Sequence, residues 1–176
     1  ISQGTLQITF EYQSLIAALT EMEIANASLY DGASAFAEGI LMAQRVNRRS
    51  RVILSEAIHP HYLRVVRSYV RNLGVEAIMV PVGSDGRTDL AKLGELMRSG
   101  GDGVTAVALQ NPNFFGCVED LSAASPIVRE KGALFEVVVN EPISLGLLHG
   151  PGHHGADVTL GEAHALGTPL HFGGPF

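Results

Sequence analysis

The stretch Val104-Thr-Ala-Val-Ala-Leu-Gln-Asn-Pro-Asn-Phe-Phe-Gly116 decides how the chain is read. Its first half, to Leu109, is a short run rich in Val, Leu and Ala, the pattern of a buried strand, and it delivers directly into the polar turn Gln110-Asn-Pro-Asn113. Working outward, runs of the same kind recur at Ile24 to Leu29, Val52 to Leu54, Glu76 to Val80, Ala133 to Val139 and Ala156 to Leu160. Helical patterns lie between most of them. That alternation predicts an α/β fold, a mainly parallel sheet flanked by helices.

The helices carry their own punctuation. Pro60 stands at a first helical position, Leu63, Val66, Tyr69, Val70 and Leu73 share one face, and Gly74 is placed to end the helix. Thr88 is the expected cap of a helix through Leu90, Leu93, Leu96 and Met97 that Gly100 and Gly101 close. Ser125-Pro126 marks another expected helix start, because a proline deeper in a helix costs about 3 kcal/mol. The segment Thr5 to Leu19 reads as a helix with Leu6, Phe10, Leu15, Ile16 and Leu19 apolar. No repeat, low-complexity tract or linker divides the 176 residues, so residues 1–176 are expected to form a single domain. Opening on Ile1 and ending on Gly-Gly-Pro-Phe176, the chain is expected to be an incomplete piece of a larger domain, with apolar surface left uncovered and poor solubility in isolation.

Composition narrows the partners. A formal charge of -6 gives no long-range attraction for phosphate backbones or anionic lipid, so neither nucleic acid nor membrane is expected as a partner. The basic cluster Arg45, Arg48, Arg49 and Arg51 reads as a solvated turn between a helix and a strand. With no apolar run near the ~20 residues that span a bilayer, and no leader-like start, the expected location is the cytoplasm. Cys117 is the only cysteine; among Phe114, Phe115 and Val118 it reads as a small packing residue, with no neighbouring base to make it a nucleophile.

In an open parallel sheet, ligands gather where strands deliver loops at their carboxyl ends. After the first run comes Tyr30-Asp-Gly-Ala-Ser-Ala35, the start of a small-residue helix. Two readings follow from it. Exposed amides at Gly32, Ala33 and Ser34 suit a phosphate, whereas the Asp31 carboxylate can cap those amides and repel one. Later strand ends supply His59 before Pro60, Asn111 and Asn113 in the polar turn, Glu141 in Asn140-Glu-Pro142, then Glu162 and His164. Asp31, Gly32, His59, Asn111, Asn113, Glu141 and His164 are therefore the pocket candidates. Each also has a structural reading, as helix cap, turn former or exposed residue. The Gly-rich segment Gly155 to Phe176, which reads as a cofactor-holding loop, contains no lysine; the only two, Lys92 and Lys131, lie in polar helix-like stretches. His149, His153 and His154 lack any further ligand at a recognised spacing, so the loop reads as solvated and no metal is expected.

These residues carry a resemblance. Ile1-Ser-Gln-Gly-Thr-Leu-Gln7, Asn26-Ala-Ser-Leu-Tyr-Asp-Gly-Ala-Ser34, Gln110-Asn-Pro-Asn-Phe-Phe-Gly116, Pro142-Ile-Ser-Leu-Gly-Leu-Leu148 and the Gly173-Gly-Pro175 ending resemble the P-protein family of the glycine cleavage system, in the form of the first subunit of the two-subunit glycine decarboxylase. The resemblance implies part of the large domain of pyridoxal phosphate enzymes of the aspartate aminotransferase fold. It places His59 at the ring-stacking position, Glu141 at the ring-nitrogen carboxylate position, and His164-Ala165 where the catalytic sister subunit carries His-Lys. It also implies a chain with no catalytic residue and no covalently bound cofactor. Pyridoxal phosphate would then sit in the second subunit, and the pair would serve the lipoylated H-protein. Family members usually read Asp-Pro where Asn140-Glu-Pro142 stands, and an acidic and an aromatic residue where His153 and His154 stand. Two alternatives stay open: a self-sufficient pyridoxal phosphate enzyme whose lysine lies beyond Phe176, and a module on the same scaffold that senses a small amino acid.

Overall fold

The computed structural model describes residues 2–100 and 103–167. Five strands, β1 (Arg51–Ser55), β2 (Glu76–Val80), β3 (Val104–Gln110), β4 (Leu134–Val139) and β5 (Val158–Gly161), form one sheet in the order β2-β1-β3-β4-β5. Every neighbouring pair is parallel. The central strand β3 is buried at all of its positions, as a strand covered on both faces must be.

Helices cover the sheet in two layers. α2 (Gly32–Asn47) and α3 (Pro60–Val70) lie on one face, where Phe36, Ile40 and Val66 pack over Val52, Leu54, Ala106, Ala108 and Val138. α4 (Leu90–Gly100) and α5 (Leu121–Arg129) lie on the other, where Leu93, Met97 and Val128 meet Ile53, Val107, Leu109, Phe135 and Val137. The alternation of Ala106 and Ala108 with Val107 and Leu109 along β3 is the two-residue period of a strand sorting side chains between layers. Small residues on the first face let α2 come close: a Cβ added at Gly39 would stand 2.8 Å from Leu160 Cδ2. Fully buried Phe36 and Ile40 contribute about 1.5–3 kcal/mol each.

An ionisable residue is buried inside the sheet. Glu136, in the middle of β4, is wholly buried facing α2, and neither carboxyl oxygen has a hydrogen-bond partner. Desolvation pushes its pKa up to about 8, so the fold carries it as a neutral acid at neutral pH.

Several expectations are corrected. Ile24 to Leu29 is irregular, not a strand: Ile24 is 84% exposed and Leu29 49%, and the run is the connection from α1 (Gln3–Thr20) to α2, away from the sheet. Asp89 caps α4, its Oδ1 accepting from Lys92 N–H at 2.9 Å, because the buried Thr88 hydroxyl is drawn inward to Ser55 and Glu119. Helix α5 begins earlier than Ser125, at Leu121, where Asp120 accepts from Ala123 N–H, and Pro126 lies inside it. Leu73 falls beyond the end of α3 and is half exposed. Arg49 is no solvated residue: its Nη1 donates to the carbonyls of Val104, Lys131 and Gly132, tying the amino-terminal ends of β3 and β4 together. The expected amino-terminal helix exists as α1, yet its buried residues are only Ala17 and Thr20.

Candidate functional site

At the carboxyl edge of the sheet, one polar group joins α2, α3 and the loops after β4 and β5. Its hub is Glu162. Oε1 accepts from Gly32 N–H at 3.1 Å and from the Tyr62 hydroxyl at 2.7 Å, and Oε2 lies 3.0 Å from His164 Nδ1. Tyr62 Oη also stands 2.6 Å from the Asn140 side-chain amide. Burial, with the Glu162 carboxylate next in weight, drives the phenol pKa upward, so Tyr62 keeps its proton and acts as a donor. Gly32 is required here, because a Cβ at that position would collide with Tyr62 Oη.

The amino terminus of α2 is closed from the other side by a capping box. Asp31 Oδ1 accepts from Ser34 N–H at 2.7 Å while Ser34 Oγ lies 3.2 Å from the Asp31 amide. The Ser34 amide and hydroxyl hold the Asp31 carboxyl below its usual range. Two carboxylates thus occupy amides that a helix amino terminus would offer an anion. An arriving phosphate dianion would meet both negative charges there, so these residues do not fit one.

His59 joins the same edge. Its backbone N–H donates to Gln110 Oε1 at 2.8 Å, its Nδ1 accepts from His61 N–H, and its ring meets Phe114 edge-on at 5.0 Å and Tyr62 at 5.6 Å. Of the sequence candidates, Asp31, Gly32, His59 and His164 are therefore brought together, linked through Tyr62 and Glu162. Asn111 and Asn113 are not. Both are buried and spent on their own loop: Asn111 Oδ1 accepts from Glu119 N–H, and Asn113 Nδ2 donates to Gly86 O and Glu119 Oε1. Glu141 is exposed at the start of the 3-10 turn Pro142–Gly146 and makes no side-chain cap bond. Gly173 and Gly174, also read as part of the closing loop, lie outside the described residues.

Sequence reasoning passed over Tyr62 and Gln110. Tyr62 shares the inward face of α3 with Leu63 and Val66, and an aromatic hydroxyl on a buried helix face needs a partner, which was the available signal. Neither lysine reaches this edge as a nucleophile: Lys92 pairs with Glu95 at 2.7 Å on the exposed face of α4, and Lys131 sits in the turn entering β4 at the opposite end of the sheet. Ala165, beside His164, carries no amine. Among the described residues no helix is long and apolar enough to cross a membrane.

The family model described as glycine cleavage system P-protein matches residues 1–176. The probable glycine dehydrogenase (decarboxylating) subunit 1 of Geotalea daltonii is 49% identical over 174 residues, covering 99% of this chain and 38% of that protein. A crystal structure of glycine decarboxylase (P-protein) of the glycine cleavage system, in inhibitor-bound form, matches with TM-score 0.88 and 46% identity, covering 99% of this chain and 38% of that one. A C-DES mutant with glycine covalently linked to its PLP cofactor matches with TM-score 0.68 at 16% identity, over 96% of this chain and 46% of that one; the likeness there is one of fold. The chain spans 38–39% of the length of the curated relatives it matches.

Proposed function

Because the chain belongs to the glycine cleavage system P-protein family, we propose that it is part of the non-catalytic half of a cytoplasmic glycine decarboxylase. In this reading a sister subunit holds pyridoxal phosphate and its lysine, which supply the amine and the electron sink for decarboxylation. The aminomethyl group then passes to the lipoyl arm of the H-protein as CO2 leaves. This chain completes the cleft without entering the chemistry.

The observation that carries the proposal is the amino terminus of α2, already closed by Asp31 and Glu162. In a working cofactor site those amides face a phosphate; here they face the chain's own carboxylates. The missing amine at Ala165 and the exposed Glu141, which makes no side-chain cap bond, point the same way. What the chain's residues do instead is satisfy each other: Tyr62 donates into Glu162, Glu162 caps Gly32, and His164 lies against the second oxygen. Such a network fixes the loops after β4 and β5 against α2 and α3, giving a rigid wall from which a neighbouring cleft can be built.

The test is to incubate the intact protein, free of its sister subunit, with pyridoxal phosphate and then borohydride. No pyridoxyl-lysine is expected on this chain. Stoichiometric labelling of Lys92 or Lys131 would overturn the proposal, and so would glycine–CO2 exchange by the protein in the absence of a lysine-bearing sister.

A further inference from the structure

We propose that Glu21, His149 and His153 form a surface site for a divalent transition-metal ion, with zinc the best fit by distance. The histidine loop alone supplies too few ligands, and the remaining one arrives from far away in sequence. Glu21 ends α1 in a left-handed conformation, φ 56°, and its carboxylate turns toward the loop. His149 Nδ1 lies 3.3 Å from Oε1, and His153 Nδ1 lies 3.4 Å from Oε2. One ligand atom from each of the three residues falls within a 4.8 Å cluster. Donors at about 2.0–2.1 Å from a tetrahedral zinc stand about 3.3 Å apart along each edge, which is the separation of each histidine Nδ1 from its nearer carboxylate oxygen, Oε1 for His149 and Oε2 for His153.

The surroundings are built around these donors. Gly150 N–H donates to Glu21 Oε1 at 2.8 Å, the kind of outer hydrogen bond that orients a ligating carboxylate. Gly150 and Gly152 let the loop close directly on the backbone of Thr20 and Glu21, where any side chain would collide. The 3-10 turn Pro151–His154 sets His153 beside His149, with ring centroids 4.1 Å apart and planes at 12°, so one exposed ring turns about its side-chain torsions to bring both Nδ1 lone pairs onto one ion. All three residues are exposed, leaving the ion accessible and a further position open to water. His154 is a built-in control, since its Nδ1 is paired with Ser122 Oγ at 2.8 Å.

The probe is zinc alone, titrated calorimetrically into the intact metal-free protein, with cobalt(II) as the spectroscopic substitute. One ion per chain is expected, with the intense visible absorption of tetrahedral cobalt. Glu21→Gln, His149→Ala and His153→Ala should each weaken binding at least about tenfold, and His154→Ala should change it less than about twofold. Circular dichroism of each metal-free variant confirms that it is folded, and the wild-type cobalt spectrum stands without any variant. No saturable binding by wild type, octahedral cobalt only, or equal affinity in the Glu21 and His153 variants would overturn the site and leave a hydrogen-bonded Glu–His cluster. The result is independent of whether the chain carries pyridoxal phosphate.

Discussion

Replacing Glu136 by Gln should stabilise the protein, and by more at higher pH. The carboxyl is fully buried, unpaired, and titrates near 8 in the folded state against an ordinary value of 4.5. Between those values the folded chain holds one more proton than the unfolded chain, so stability falls as pH rises. The contribution is fully present below about pH 4.5 and is lost as the pH passes through 8. At about 1.4 kcal/mol per unit, the wild type forfeits about 3 kcal/mol by pH 7 and about 5 kcal/mol above pH 8, relative to acid. Glutamine keeps the shape of the protonated acid but cannot ionise, so this pH dependence disappears in the variant. Urea unfolding of wild type and Glu136→Gln at pH 5, 7 and 8.5 measures the gap directly. It should widen steadily in favour of the variant, while the infrared band of a protonated carboxyl, present in wild type at pH 7, is missing from the variant. A gap that stays flat from pH 5 to 8.5 would show that the Glu136 carboxyl is hydrated or paired, and the reasoning would fail.

Other outcomes follow from single contacts. Asp31→Ala removes the cap of α2 and should cost about 1 kcal/mol in urea unfolding at neutral pH, where the carboxylate is ionised. Tyr62→Phe leaves Glu162 and Asn140 without their shared hydroxyl and should cost about 1–3 kcal/mol; in wild type, ultraviolet titration should find one tyrosine that resists ionisation until the fold is lost. Pro126→Ala restores an interior N–H to α5 and should raise the thermal midpoint, against a helix-interior proline cost of about 3 kcal/mol.

The parallel sheet was legible because buried strands and their intervening helices announce themselves by period: Glu76 to Val80 appears as read, and the strands read at Val52, Val104, Ala133 and Ala156 appear with ends displaced by one or two residues. What failed were places where apolar content or a local breaker outvoted context. Ile24 and Leu29 are apolar but lie in the irregular connection between α1 and α2, and Pro126 falls inside α5 because Asp120 starts the helix ahead of it. The site was half legible. His59 and His164 converge because they follow β1 and β5, and Asp31 and Gly32 meet them from the amino terminus of α2, but their hub depends on Tyr62 reaching Glu162 across 100 residues, which no local pattern encodes. Asn111 and Asn113 face inward to Glu119, a carboxylate whose burial is set by tertiary packing alone. The Glu21 cluster escaped notice for the same reason, its partners lying 128 residues apart.

Helix α1 is anchored at one end. Its 18 residues make a rod about 27 Å long, yet burial is confined to Ala17 and Thr20, beside the point where Gly150 and Gly152 press on its last turn. Leu6, Ile8, Phe10 and Leu15 stand 67–70% exposed along its length. Mechanically this is a lever on a short hinge: a rotation of about 5° at Thr20 carries the far tip through about 2 Å, given the rise per residue of an α-helix. A surface that took up those apolar side chains would set the direction of α1, and a small change in the grip at Glu21 is magnified along the whole rod.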